Sequence, residues 1–233
     1  MSLRIVSLVP SGTETLLALG APLTACTRFC EQPGIPHVGG TKNPDIDAII
    51  ELDPDFVVMD REENRREDAD ALTDAGIELF VSDVTTVDAA ERVVVDLATR
   101  AGRPPPTIPS PLPVATTRTI AFVPIWRRPW MSINRLTYGS DLLARLGVAL
   151  ITDDHPDRYP TVDLDDVAAR RPGLVLVPSE PYEFRDGHLD ELREAFGAGV
   201  PVVRVDGQDL FWWGSRTSGA LSRLRAQLDP LIA

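Results

Sequence analysis

All four tryptophans of this 233-residue chain, at positions 126, 130, 212 and 213, follow short apolar runs of the kind that form buried strands. Trp126, Arg127, Arg128 and Trp130 come after Thr119–Val123, Tyr182 and Phe184 come after Leu174–Val177, and Phe211, Trp212 and Trp213 come after Val202–Val205. Nearer the N-terminus, Arg28 and Phe29 follow the apolar stretch at Leu23–Ala25, Lys42 lies in Gly39–Pro44, and Asp60 and Arg61 follow Phe56–Met59. In open parallel sheets, ligands bind beyond the carboxyl ends of the strands. Wide aromatic faces with cationic groups beside them suit a broad, partly apolar ligand that also carries polar groups.

Other chemistries have less support in the sequence. Glu14, Glu31, Asp60 and Glu180 also follow predicted strands, and an enzyme would use such carboxylates as acid or base. Cys26, Cys30 and His37 do not have the spacing of a paired-cysteine metal site, so the cysteines read as two reduced thiols. The three histidines are scattered, and neither a dinucleotide fingerprint nor a phosphate-binding loop is present. Ser11-Gly-Thr-Glu14 has the spacing of a capping box. Arg61–Asp68 reads as a solvated helix start, with a docking face for a protein partner as the sharper alternative.

The elements that must position these residues come in two similar sets. Arg4–Val9 ends at Pro10, as Thr119–Val123 ends at Pro124. Leu16–Gly20 is echoed by Leu142–Gly147, both reading as helix ends with a C-terminal glycine. Asp45–Met59 is echoed by Asp163–Val177: an Asp, a short helix, a break at Pro54 or Pro172, then an apolar strand. Ala75–Asp83 and Ala198–Asp206 form a third pair. Strands alternating with helices predict parallel sheets with helices packed on their faces. The fold class is therefore α/β, with two Rossmann-like lobes and a ligand cleft between them. Residues 1–101 form the first lobe with the start of a connecting helix, 102–117 a proline-rich linker, and 118–233 the second lobe.

Charge narrows the partners. With 35 acidic and 23 basic residues the net charge is −12, which argues against nucleic acid. Residues 51–100 hold 15 acids and 5 bases, so the charge is concentrated there, while 101–150 hold six arginines and one acid. No apolar run is long enough to span a membrane. The N-terminus runs directly into a strand with no visible export signal, and the reading is a cytoplasmic protein.

On these residues the chain resembles the class III, helical-backbone solute-binding proteins, the receptors for cobalamin, ferric siderophores and haem that serve ABC importers. The resemblance is carried by Arg4-Ile-Val-Ser-Leu-Val-Pro-Ser-Gly-Thr-Glu14, by Leu52-Asp-Pro-Asp-Phe-Val-Val58 and by Phe211-Trp-Trp213. It implies two lobes joined by a long helix, no enzymatic activity and no intrinsic cofactor. The bound ligand would be a corrinoid, a ferric siderophore or haem. The implied contacts are Arg28, Phe29, Lys42, Trp126, Trp130 and Trp212, to which the strand-end reading adds Arg127, Arg128, Tyr182, Phe211 and Trp213. Such receptors dock to an ABC permease through one acidic residue on each lobe. Here Arg66 stands beside Glu67 near the first position, and no Asp or Glu occurs from Leu210 to Leu228 in the second lobe. An enzyme in the cleft and a regulatory protein-interaction module are the alternatives.

Overall fold

The computed structural model describes residues 3–107 and 113–232. It divides into two compact units. The first holds the chain up to Val84, the segment from Asp88 into the proline-rich stretch, and Trp213–Arg216. The second holds Thr85–Val87, the chain from after the proline-rich stretch to Trp212, and Thr217 onward. The centre of the linker expected over 102–117 lies outside the described residues.

In chain order the first unit carries β1 (Ile5–Ser7), α1 (Pro10–Ala18), β2 (Ala25–Cys26), β3 (Gly39–Gly40), β4 (Asn43–Pro44), α2 (Ile46–Glu51), β5 (Phe56–Asp60), α3 (Arg66–Asp74) and β6 (Leu79–Ser82). Helix α4 (Val87–Arg100) follows. The second unit carries β7 (Thr119–Phe122), β8 (Pro124–Trp126), β9 (Trp130–Ser132), α5 (Tyr138–Ala144), β10 (Val148–Leu150), β11 (Thr161–Val162), α6 (Leu164–Ala169), β12 (Leu174–Pro178), α7 (Asp186–Phe196), β13 (Val202–Val205), α8 (Gly207–Phe211) and α9 (Thr217–Leu228).

Each unit has a four-stranded, all-parallel sheet. The orders are β2-β1-β5-β6 and β10-β7-β12-β13, which place each unit's four sheet strands in the same sequence. The repeat extends to single residues. Asp45 and Asp163 are the N-caps of α2 and α6, each accepting backbone N–H bonds from the first turn. Asp53 and Arg171, each just before a proline, both have left-handed backbone, with φ of 45° and 53°. A proline disfavours helical backbone in the residue before it, so both helices stop there. The central strands β5 and β12 are buried along their whole length, while β6 and β13 are partly exposed in an identical pattern.

One face of each sheet carries a matching core. Val6, Leu8, Val57, Met59, Ile49 and Leu72 pack in the first unit, and Phe122, Val175, Val177, Val167, Leu189 and Leu192 in the second. Burying each of these side chains contributes about 1.5–3 kcal/mol before entropy is counted. Helix α4 lies against the first sheet, with the Arg100 guanidinium over the Phe56 ring and paired with Glu78.

One local expectation is corrected. Ser11–Glu14 is not a capping box: α1 begins at Pro10, with Val9 at the N-cap and no side-chain cap. Proline presets the backbone of a first helical residue, so the helix starts one residue early and Ser11 falls inside it. The segment after β7 adds strands that the sequence reading did not name. β8 and β9 form a hairpin, with β11 added on the β9 side. Strands of two or three residues interrupted by Pro124 and Pro129 leave too little alternation to read.

Candidate functional site

In the first unit, three segments meet at the carboxyl end of the sheet. Arg28 and Phe29 occupy a 3₁₀ turn after β2, and the Arg28 guanidinium lies 4.8 Å over the Phe29 ring. Both side chains are exposed, Phe29 by 52%. Gly40 lets them pack: a Cβ there would lie 3.0 Å from an Arg28 nitrogen and 3.1 Å from the Phe29 ring. Lys42 is exposed and donates to the Glu62 carbonyl.

Asn64 holds these segments together. Its side-chain oxygen accepts from the Asp60 N–H at 2.8 Å, and its amide donates to the carbonyls of Thr41 at 3.0 Å and Leu8 at 3.3 Å. Sequence reasoning missed it, because its partners are spread over more than 50 residues and no short motif contains them.

Asp60 ends β5. It is buried, and burial pushes its carboxyl above the usual range, offset in part by bonds from Ser82 Oγ at 2.6 Å and the Glu62 N–H at 2.9 Å. Both oxygens are thus engaged in shaping the turn after β5. A pocket of about 550 Å³ opens beside it, lined by Arg61, Asn64, Arg65 and Arg66. These arginines pair with Asp83, Asp68 and Asp70. Glu14 is likewise engaged, by Arg216. Both carboxylates are thus held by partners within the first unit.

In the second unit, the β8–β9 hairpin brings its aromatics to those after β12. Trp126 meets Tyr182 edge to face at 5.1 Å, Tyr182 meets Phe184 at 4.8 Å, and Phe184 stacks on Trp130 at 6.0 Å with 4° between the ring planes. The hairpin is anchored from below: Ser132 Oγ donates to the Val123 carbonyl at 2.8 Å, and Thr152 Oγ1 to that of Ile133 at 2.6 Å. Trp126 is 45% exposed, so the row ends in an open ring. Phe184 and His188 complete the group without having been singled out as contacts. Tyr182 and Phe184 both approach the His188 ring, whose Nδ1 accepts from the Arg185 N–H at 3.0 Å.

The remaining residues divide. Arg127 turns inward, pairing with Glu191 at 2.7 Å and lying over Trp130. Arg128 stays exposed at the hairpin tip. Phe211 ends α8 and packs against Gly139, where a Cβ would come within 3.2 Å of its ring. Gly207 seats α8 on the segment after β12, with its N–H on Ser179 Oγ at 2.8 Å and no room for a Cβ beside Glu180. Trp212 is half-buried, and Trp213 is buried and belongs to the first unit. Trp126 and Trp130 thus join the group around Tyr182, while Phe211 packs on α5 and Trp213 is core.

Residues 5–103 match the family described as periplasmic binding protein. Among curated proteins, a vitamin B12-binding protein of Pectobacterium carotovorum is 23% identical over 98% of this chain and 89% of its own length. One of Photorhabdus laumondii is 25% identical over 75% of this chain and 70% of its own length. Among solved structures, the periplasmic haem-binding protein of Roseiflexus superposes with a TM-score of 0.80 at 20% identity, covering all of both chains. The periplasmic vitamin B12-binding protein of Vibrio cholerae gives 0.75 at 17% identity, over 98% of this chain and 97% of its own. These matches overturn the cytoplasmic reading, since the proteins this chain is similar to are periplasmic. That reading rested on the chain's first residues, which do not report a compartment. The first unit thus matches the periplasmic binding protein family, and the two-unit parallel fold is that of the solved periplasmic binding proteins it is similar to.

Proposed function

We propose that this protein is an exported receptor for a large, flat chelate, a corrinoid in first place, which it delivers to an ABC permease without catalysing a reaction. The observation that carries this reading is the row Trp126–Tyr182–Phe184–Trp130, rigidly backed and open at Trp126. Stacked and edge-on rings give a macrocycle a preorganised apolar surface at little entropic cost. In the first unit, Phe29 offers a second exposed ring, and Arg28 and Lys42 offer donors for the amide or carboxylate groups at the edge of such a ligand.

One detail bears on whether an imidazole of this group could hold haem iron. Haem iron takes an axial protein ligand such as an imidazole with a free nitrogen lone pair. His188 is the imidazole of this aromatic group, and its Nδ1 lone pair is occupied by the Arg185 N–H, which leaves the ring proton on Nε2. It is set to donate, not to coordinate. The corrinoid is put first because the curated relatives that share most of this chain's length are vitamin B12-binding proteins.

The test is titration with cyanocobalamin, haemin and a ferric hydroxamate, followed by calorimetry and tryptophan fluorescence. Cyanocobalamin should quench saturably, and Trp126→Ala should weaken it by about tenfold, or about 1.4 kcal/mol, with the circular dichroism unchanged. Absence of heat and quenching with all three would overturn the proposal.

A further inference from the structure

A separate pocket lies within the second unit, at the amino end of its sheet. The aromatic row lies at the other end, after the carboxyl end of β12. The pocket holds about 400 Å³, within the range of small-molecule sites. Its charged wall is Arg118, Arg145 and Arg225 against one carboxylate, Asp229, and Thr116 adds an exposed residue with a hydroxyl. Arg118 immediately precedes β7, Arg145 ends α5, Arg225 lies in the last turn of α9, and Asp229 follows that helix.

The fold places each cation. Gly147, at φ 81°, leaves space for Arg118: a Cβ there would lie 3.0 Å from the Arg118 Nε. Arg118 donates to the Leu146 carbonyl at 3.2 Å and pairs with Asp229 at 2.6 Å. Arg145 is 5% exposed, and its Nε donates to Asp141, which does not line the pocket. Arg225 stands four residues before Asp229, the spacing of a helical ion pair. Asp229 is taken by Arg118 instead, and Arg225 has no hydrogen bond or ion pair among the described residues. Even with Asp141 counted, the cluster keeps an excess of positive charge, and like charges gathered this way are relieved by an anion between them. One guanidinium fork is enough for a planar carboxylate. Donors arriving from three separate segments suit a tetrahedral oxyanion better.

We propose that this pocket binds a phosphate group, free or at the head of a lipid, with Arg225 and Arg118 as its charged donors and Thr116 beside them. Phosphate carries one to two negative charges near neutral pH and offers acceptor oxygens in several directions. The site shares no residue with the chelate contacts, so it stands or falls separately from the ligand assignment.

The experiment titrates the whole protein with inorganic phosphate in chloride buffer at constant ionic strength, followed by calorimetry and amide NMR. Binding should saturate, with amide shifts at Thr116, Arg118 and Leu146 and none at Trp126. Arg225→Gln should weaken it about tenfold, the loss of one charge-assisted hydrogen bond. Arg135→Gln, at an exposed arginine outside the pocket, should bind as the wild type does. Sedimentation with phosphatidylglycerol vesicles, against phosphatidylcholine alone, separates the sources: capture that is lost in Arg225→Gln assigns the phosphate to a lipid, and binding of inorganic phosphate alone assigns it to a free ion. No saturable binding to either probe, wild-type affinity in Arg225→Gln, an equal loss in Arg135→Gln, or shifts confined to other residues would overturn the proposal. The shift map is read on the wild type, so it decides the matter even if a variant fails to fold.

Discussion

Arg216 grips both carboxylate oxygens of Glu14, Nε to Oε2 at 2.7 Å and a terminal nitrogen to Oε1 at 2.8 Å, across 202 residues of chain. The segment around it is fitted to α1: the Ser215 N–H bonds Thr15 Oγ1 at 3.2 Å, and Gly214, at φ 108°, has no room for a side chain beside Thr15. Planar two-point pairing is the stronger form of ion pair, and both side chains are partly shielded. Glu14→Gln and Arg216→Met should each lower the unfolding free energy by about 1 kcal/mol. In a double-mutant cycle by urea denaturation, the two losses should not add, because each alone already breaks the same pair. Additive losses would mean that the pair contributes nothing as a unit.

The duplicated N-caps make a symmetric prediction. Asp45 accepts the Ala48 N–H at 3.1 Å, and Asp163 accepts those of Asp165 at 2.8 Å and Asp166 at 3.4 Å. Asp45→Ala and Asp163→Ala should each cost about 1 kcal/mol, with similar values, as loss of an N-cap does. Chemical denaturation of the two variants checks this, and a neutral Asp45→Ala would show that α2 does not depend on its cap.

These caps were legible because they are local: an aspartate, a short helix, a proline and an apolar strand lie within about 15 residues of one another. The parallel sheets followed from the same alternation, and the strand-end position of Trp126, Trp130 and Tyr182 followed from the sheets. What stayed hidden is non-local. Nothing near Asn64 in sequence points to Leu8 or Thr41, and nothing near Arg127 points to Glu191 as its partner. Trp213 looks like its neighbour Trp212 until the return of Trp213–Arg216 to the first unit buries it. Counting aromatics at strand ends found a group that the fold brings together, but only packing separates an open ring such as Trp126 from a buried one.

Asp60 sets a pH dependence. Its carboxyl is raised mainly by burial, and those of Glu63 and Asp153 are raised for the same first reason. A carboxyl with a folded value above its unfolded value holds its proton more tightly in the folded state. The stability it contributes is complete below the ordinary value of 3.8 and is lost as pH rises through the raised value. Asp60→Asn keeps an oxygen for the Glu62 N–H and removes the buried charge. Relative to the wild type, the variant should therefore gain stability as pH rises from the ordinary value of 3.8 through the raised one. Urea midpoints at several pH values measure this, and a variant that loses ground as pH rises would show that the turn needs the charged carboxylate.

Gly40 links the fold to the ligand-facing turn. A Cβ at this position would fall 2.6 Å from Asn43 Oδ1 as well as against Arg28 and Phe29, in a residue whose backbone is otherwise ordinary. The cheapest relief is for the exposed Arg28 and Phe29 side chains to swing away, since their far ends are free to move while β3 is held to β4. Gly40→Ala should thus leave the thermal midpoint nearly unchanged and weaken binding of cyanocobalamin by about tenfold. Gly34→Ala, where a Cβ meets nothing within 4 Å, is the matched control and should bind as the wild type does. Calorimetry on the two variants separates the cases: equal affinities would remove Arg28 and Phe29 from the site, whereas a loss confined to Gly40→Ala would place the Thr27–Cys30 turn in contact with the ligand.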